Sequence, residues 1–207
     1  MSSSASCSYY SLMLLLLCSS AAAEGKREEP VRREVVVSVE RRDSDFQVDA
    51  SVMLPVRPCE AYALLTDYAS LPDYIPGMVE IGVERLSGTT VKIRQVGKAR
   101  IWFFSIRVEL LLEMEETPNR LIVFKLIEGD LEAYSGEWRL QEAPEGTRLT
   151  FSAALIFDQY VPAFLGRSIL EDEVSQRFDA VVKEAEARKG RVYPGCAAEA
   201  SALGNAT

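Results

Sequence analysis

"IWFFSIRVELLLEMEE", residues 101–116, decides the fold. Trp102, Phe104, Ile106, Val108, Leu110, Leu112 and Met114 fall at alternate positions, while Ser105, Arg107, Glu109 and Glu113 lie between them. Successive side chains of a strand point to opposite faces, so the run predicts a long strand with one apolar face. That face needs a cover, and the neighbouring sequence has to supply it.

Short turns flank the strand on both sides. Upstream, "VEIGVERL" and "VKIRQVGKA" are strand-like runs separated by "SGTT"; downstream, "TPNR", "LIVFKLIEG", "AYSGEWRLQEA", "PEG" and "TRLTFSAALIFD" alternate turn and strand. Consecutive strands joined this closely imply an antiparallel meander. Nearer the N-terminus, "EVVVSVERRDSDFQVDASVMLPV" opens the domain with a strand or hairpin, in which Phe46, Val48, Ala50, Val52 and Leu54 alternate with Gln47, Asp49, Ser51 and Met53. Pro58-Cys59-Glu60 starts a short helix that ends near Asp67. "LLTDYASLPDYIPGM", residues 64–78, then turns a corner.

From Val161 to about Lys189 the period changes. Leu165, Leu170, Val174, Phe178, Val181 and Ala185 recur at helical spacing, which predicts an amphipathic helix about 40 Å long. The elements together predict an α+β domain: a curved antiparallel sheet of about seven strands wrapped around a long C-terminal helix, with two short helices after the first strand. Small residues beside bulky ones, Gly136 near Trp138 and Ala153 between Phe151 and Leu155, fit either interdigitated packing or room for an apolar ligand. Gly129 and Gly136 read as a strand end and a bulge or close packing position.

The ends differ from the body. Residues 1–23, with the apolar run "SLMLLLLCSSAAA", read as a secretory signal with Ala21-Ala22-Ala23 at the cleavage site. The run falls short of the about 20 apolar residues that span a bilayer. Leu15-Leu16-Leu17-Cys18 resembles a lipoprotein cleavage box only weakly, because Leu17 stands where a small residue is wanted. Residues 24–34 form a charged tether, 35–189 the folded domain, and 190–207 a disordered tail. An exported protein is expected, periplasmic in a Gram-negative source. Cys7 and Cys18 lie in the signal; Cys59 and Cys196 remain, and sequence alone leaves their pairing open.

The composition narrows the chemistry. A net charge of −8 over 207 residues lacks the footprint of a nucleic-acid binder. The chain has no histidine, which removes Ser-His and Cys-His nucleophiles and the commonest metal ligand. No zinc-binding cysteine spacing is present, and Glu171-Asp172-Glu173 reads as a solvated helix face. Acid-base groups would have to come from Asp67, Tyr68, Tyr74, Arg94, Arg107, Tyr134 or Tyr160, each of which has an ordinary structural reading as well. No catalytic residue, cofactor or metal is expected.

The motifs "TDYASLPDYIPGM", "IRQVGKARIWFF", "EGDLEAYSGEWRLQ", "GTRLTFSAALIF" and "VPAFLGRSIL", in this order, resemble the coenzyme Q-binding and polyketide cyclase/dehydrase branch of the START-like (helix-grip, SRPBCC) superfamily over residues 35–187. The resemblance implies a deep apolar cavity between the sheet and the C-terminal helix, of the kind in which relatives hold lipids, quinones or polyketides. It also implies that "DQYVPAFL" faces the "LPDYIP" corner. The residues expected at the cavity or its mouth are Tyr68, Leu71, Pro72, Tyr74, Ile75, Pro76, Trp102, Phe104, Tyr134, Trp138, Phe151, Tyr160 and Phe164. An exported, monomeric, non-catalytic carrier of a hydrophobic small molecule, in transient contact with membranes, is the leading expectation. A polyketide cyclase or dehydratase using Tyr or carboxylate groups is the alternative. A ribosome-directed role, as described for some cytoplasmic relatives, is opposed by the signal and the negative charge.

Overall fold

The computed structural model describes residues 34–101, 104–158, 161–193 and 196. Two strands open it, β1 (Val36–Arg42) and β2 (Asp45–Leu54), joined by a tight turn with Asp43 at φ 56°. Next come α1 (Pro58–Leu65), a 3-10 turn over Tyr68–Ser70 and the single turn α2 (Leu71–Tyr74). Six strands follow: β3 (Met78–Ser87), β4 (Thr90–Ile101), β5 (Phe104–Thr117), β6 (Leu121–Gly129), β7 (Leu131–Ala143) and β8 (Gly146–Phe157). The helix α3 (Ala163–Ala187) comes last.

All eight strands form one antiparallel sheet in the order β1-β2-β8-β7-β6-β5-β4-β3. The expected sheet of about seven strands gains its eighth because the polar "RRDSD" makes a hairpin, so that two strands precede the helices. Chain order jumps once, where β8 returns to pair with β2. Irregular register at Met78/Glu80, Leu111/Leu112 and Leu131/Ala133 marks bulges. Bulges increase bend and twist, which curls the sheet around its inner face.

That face alternates as the sequence does. Phe46, Val48, Ala50, Val52 and Leu54 of β2 are buried, as are Leu149, Phe151, Ala153 and Leu155 of β8. On β5 the apolar face is buried only at Leu110, Leu112 and Met114, whereas Ile106 is 45% exposed. The β4–β5 ladder runs from Thr90↔Glu115 to Ile101↔Phe104, and this end of it extends past the cover of the core.

The helix α3 spans 25 residues, about 37 Å, and packs against β1 and β2 at one side of the sheet. Gly166 makes the close approach possible: a Cβ there would lie 2.5 Å from Cζ of Phe46. Further along, Phe178 is buried and stacks on Trp138 at 5.4 Å between ring centroids. Gly136, beside that tryptophan, settles the choice between room and packing, since a Cβ on it would meet Ala153 Cα at 2.8 Å. The small residues of β7 and β8 serve close packing, and the free space lies elsewhere. Cys59 of α1 and Cys196 are joined by a disulfide, with Cα atoms 5.4 Å apart, which ties the chain beyond α3 to the helical corner.

Two stability effects follow from this packing. Gly166→Ala is expected to lower the unfolding free energy by about 1–3 kcal/mol, the usual cost of overpacking, measured by denaturant titration. Replacing Cys59 and Cys196 by alanine removes a crosslink across 137 residues of sequence. It is expected to cost about 2–5 kcal/mol, and non-reducing peptide mapping of the parent protein should yield the linked pair.

Candidate functional site

Because α3 sits over β1 and β2, the inner face of β3 to β6 needs a second cover. The corner of residues 65–75 provides it, and a cavity of about 120 Å³ remains between the two covers. Its floor is Ile81, Ile93, Gln95, Leu112, Met114, Ile122 and Phe124 from β3 to β6, with Tyr134 and Trp138 from β7. Leu65, Tyr68, Leu71 and Ile75 close one side; Arg177 and Val181 of α3 close the other.

Two polar anchors hold the corner. Glu116, 7% exposed on β5, accepts hydrogen bonds from the hydroxyls of Tyr62 and Tyr68, each at 2.8 Å, and Arg85 lies 3.7 Å from the same carboxylate. On the far side Arg188, at the end of α3, donates to Asp67 Oδ2 at 2.8 Å and to Glu184 Oε1 at 2.5 Å, and its guanidinium lies 5.6 Å from the centre of the Tyr74 ring. The Tyr74 hydroxyl donates to the Leu64 carbonyl at 3.3 Å. Asp67 thus anchors the corner to the helix, in keeping with its structural reading.

Burial raises the pKa of Tyr68, and the hydrogen bond to the Glu116 carboxylate raises it further. The same two causes act on Tyr62. Tyr74 is raised by burial, partly offset by Arg188, and Tyr134 by burial against the opposing charge of Arg177. A phenol shifted upward stays protonated at ordinary pH, so these hydroxyls act as hydrogen-bond donors and are poor bases.

The structure gathers Tyr68, Leu71, Ile75, Tyr134 and Trp138 at the cavity. Phe151 stands one layer behind, its ring centroid 4.5 Å from that of Trp138. Tyr74 faces Arg188, and Pro72 and Pro76 shape the corner without lining the cavity. Phe164 is 79% exposed. Its side chain points away because Gly166, two residues on and so about 200° around the helix, is the position turned toward Phe46. Trp102 and Tyr160 lie outside the described residues, as does the side chain of Phe104. Arg94 pairs with Glu109 on the surface.

Sequence reasoning passed over Arg177. Its signal was present: it stands three residues after Val174 and four before Val181, a cation inside an apolar helical stripe. Among the described residues no group of three His, Cys, Asp or Glu side chains could hold a metal ion, and no helix is long and apolar enough to cross a membrane.

A curved antiparallel sheet closed by a long C-terminal helix over an apolar cavity is the helix-grip arrangement of START-like proteins. The profile of the family described as "Polyketide cyclase / dehydrase and lipid transport" matches residues 54–182, and the chain belongs to that family. Solved structures agree on the fold. A STAR-related lipid transfer protein from Xanthomonas axonopodis superposes with a TM-score of 0.63 at 10% identity, covering 73% of this chain and 93% of its own. The Zhui aromatase/cyclase from Streptomyces sp. R1128 gives 0.59 at 18% identity, covering 73% and 99%. A START superfamily protein from Mycobacterium smegmatis gives 0.59 at 14% identity, covering 68% and 97%. A search of curated proteins finds no match.

The anchor at Glu116 has a pH signature. Both tyrosines titrate higher in the folded than in the unfolded chain. Their contribution is therefore complete below about pH 10, the ordinary tyrosine value, and is lost as the pH rises from there toward the folded values. Thermal unfolding followed from pH 8 to 11 should show a fall in Tm above pH 10 that is shallower in a Tyr62→Phe/Tyr68→Phe variant. At neutral pH Tyr68→Phe alone should cost about 1–3 kcal/mol, because a buried carboxylate oxygen loses its donor.

Proposed function

We propose that the protein is an exported, non-catalytic carrier that holds a hydrophobic molecule, such as a quinone, an isoprenoid or a fatty acyl lipid, in the cavity between sheet and α3. The observation that carries this reading is the lining itself. It is almost wholly aliphatic and aromatic, and its polar side chains among the described residues are Tyr68, Gln95, Tyr134 and Arg177. No carboxylate is among them, and the tyrosines are held protonated, so the site offers no ready general base. Apolar burial supplies affinity at about 25 cal/mol per Å² with no need of a charged partner.

A cavity of about 120 Å³ is on the scale of a single ring. A longer ligand therefore enters by displacing the corner, and α2, one turn stiffened by Pro72 and Pro76 and tied down by side chains, serves as the gate. Transfer of such a ligand to or from a membrane would involve transient contact with it. The Cys59–Cys196 disulfide supports export, since such bonds persist in oxidising compartments.

The second reading, a cyclase or dehydratase, is favoured by one feature, the donors Tyr134 and Arg177, which could polarise a substrate carbonyl. Carrier and enzyme separate in one experiment. Protein recovered from the exported fraction, with its N-terminus established by intact mass as Glu24, is extracted with solvent and analysed by mass spectrometry. The carrier reading expects an unmodified apolar molecule in near-stoichiometric amount. Absence of any such molecule, together with no binding of added ubiquinone or palmitate, rejects it.

A further inference from the structure

Arg177 straddles the surface and the interior: its side chain is 38% exposed, yet its Nε is buried. The stripe of Val174, Phe178 and Val181 seats α3 on the core, and Arg177 shares that face and lines the cavity. One terminal nitrogen reaches Glu173 Oε2 at 3.4 Å, but the Nε–H is buried without an acceptor. Buried polar groups are nearly always matched, so an orphaned donor of a charged side chain beside a cavity calls for an explanation.

A second donor stands on the same cavity. β7 brings Tyr134, partly buried, to the cavity wall, its ring 4.8 Å from that of Phe124, and its hydroxyl meets no acceptor among the described residues. Tyr68, by contrast, has spent its hydroxyl on Glu116. Two donors thus await acceptors in a lining that also carries the amide of Gln95 and the indole of Trp138.

From this pairing we propose that the cavity recognises an apolar molecule by an acceptor oxygen at its buried end, a carboxylate or a ketone or quinone carbonyl, which accepts from Arg177 Nε–H and from the Tyr134 hydroxyl. The inference rests on the carrier reading and narrows it. Aliphatic walls grip any greasy chain of the right width; the two donors select the end that goes in first. A pure hydrocarbon would leave both donors unmatched, the Arg177 Nε–H among them buried, and is discriminated against for that reason. Glu173, already paired with Arg177, keeps the site from being a strong bare cation, so an uncharged carbonyl is accommodated as well as an anion.

The test uses three probes on the full mature protein: palmitate, a decyl-substituted benzoquinone, and N-phenyl-1-naphthylamine, which has no acceptor oxygen. Tyr134→Phe and Arg177→Met are each expected to weaken palmitate or the quinone about tenfold, the effect of one hydrogen bond to a buried donor, while the naphthylamine changes less than about twofold. If Arg177→Met does not fold, by circular dichroism, the Tyr134→Phe comparison decides. Loss of palmitate affinity alone, sensitive to salt, identifies the carboxylate; loss of quinone affinity, insensitive to salt, identifies the carbonyl. Equal binding of all probes by parent and variants overturns the proposal. So does a parent protein that binds the naphthylamine but neither oxygenated probe, although the carrier reading then stands. A parent that binds none of the three rejects the carrier reading itself.

Discussion

Where Gly166 meets Phe46, the absence of a side chain on the helix and the presence of a ring on β2 set how closely α3 comes down on the sheet. Everything else about the interior depends on that seat. With α3 drawn onto β1 and β2, Phe178 reaches Trp138, Val181 reaches the cavity, and the Nε of Arg177 is buried beside them. One helix about 10 Å across covers β3 to β6 only in part, touching β4 where the sheet curls back toward it. The cavity is the remainder of that mismatch, roofed by a short corner whose own hydrophobic surface is too small to fill it.

The corner is held by polar contacts at its two ends. Tyr62 and Tyr68 bind it to β5 through Glu116, and Arg188 binds it to the end of α3 through Asp67 and Tyr74. Hydrogen bonds and ion pairs of this kind are directional and individually modest, so they specify one closed position and can still be broken. A greasy roof would gain more from closing and would be harder to open. The disulfide from Cys59 adds a covalent tether beside the corner and leaves α2 itself free of it.

Much of the fold was legible because a strand with one buried face writes its period into the chain. Phe46 to Leu54 and Leu149 to Leu155 alternate in sequence and in burial alike. The helix was legible for the same reason at its own period. The β1–β2 hairpin was less so, since "RRDSD" turns without the Gly that usually advertises a turn, and Asp43 takes the positive φ in its place. The site was only half legible. Tyr68, Leu71, Ile75, Tyr134 and Trp138 stood out as aromatic or corner residues, whereas Ile81, Ile93 and Ile122 look like any core position until the sheet is curled. Phe164 misled because a large apolar residue beside a helix start reads as buried, and only its angular position relative to Gly166 turns it outward.

By itself the sequence determined the periods, the turns, the family, the lack of any histidine and the acidic charge, all of which are properties of residues and near neighbours along the chain. Tertiary structure alone decided that Cys59 meets Cys196, that Gly136 packs and makes no room, and that Arg177 and Tyr134 are left with unmatched donors on one cavity. The physical reason is distance in sequence. Whether a polar group finds a partner, and whether a gap is filled, depends on side chains brought together from elements far apart in the chain, and no local pattern records where a second partner is missing.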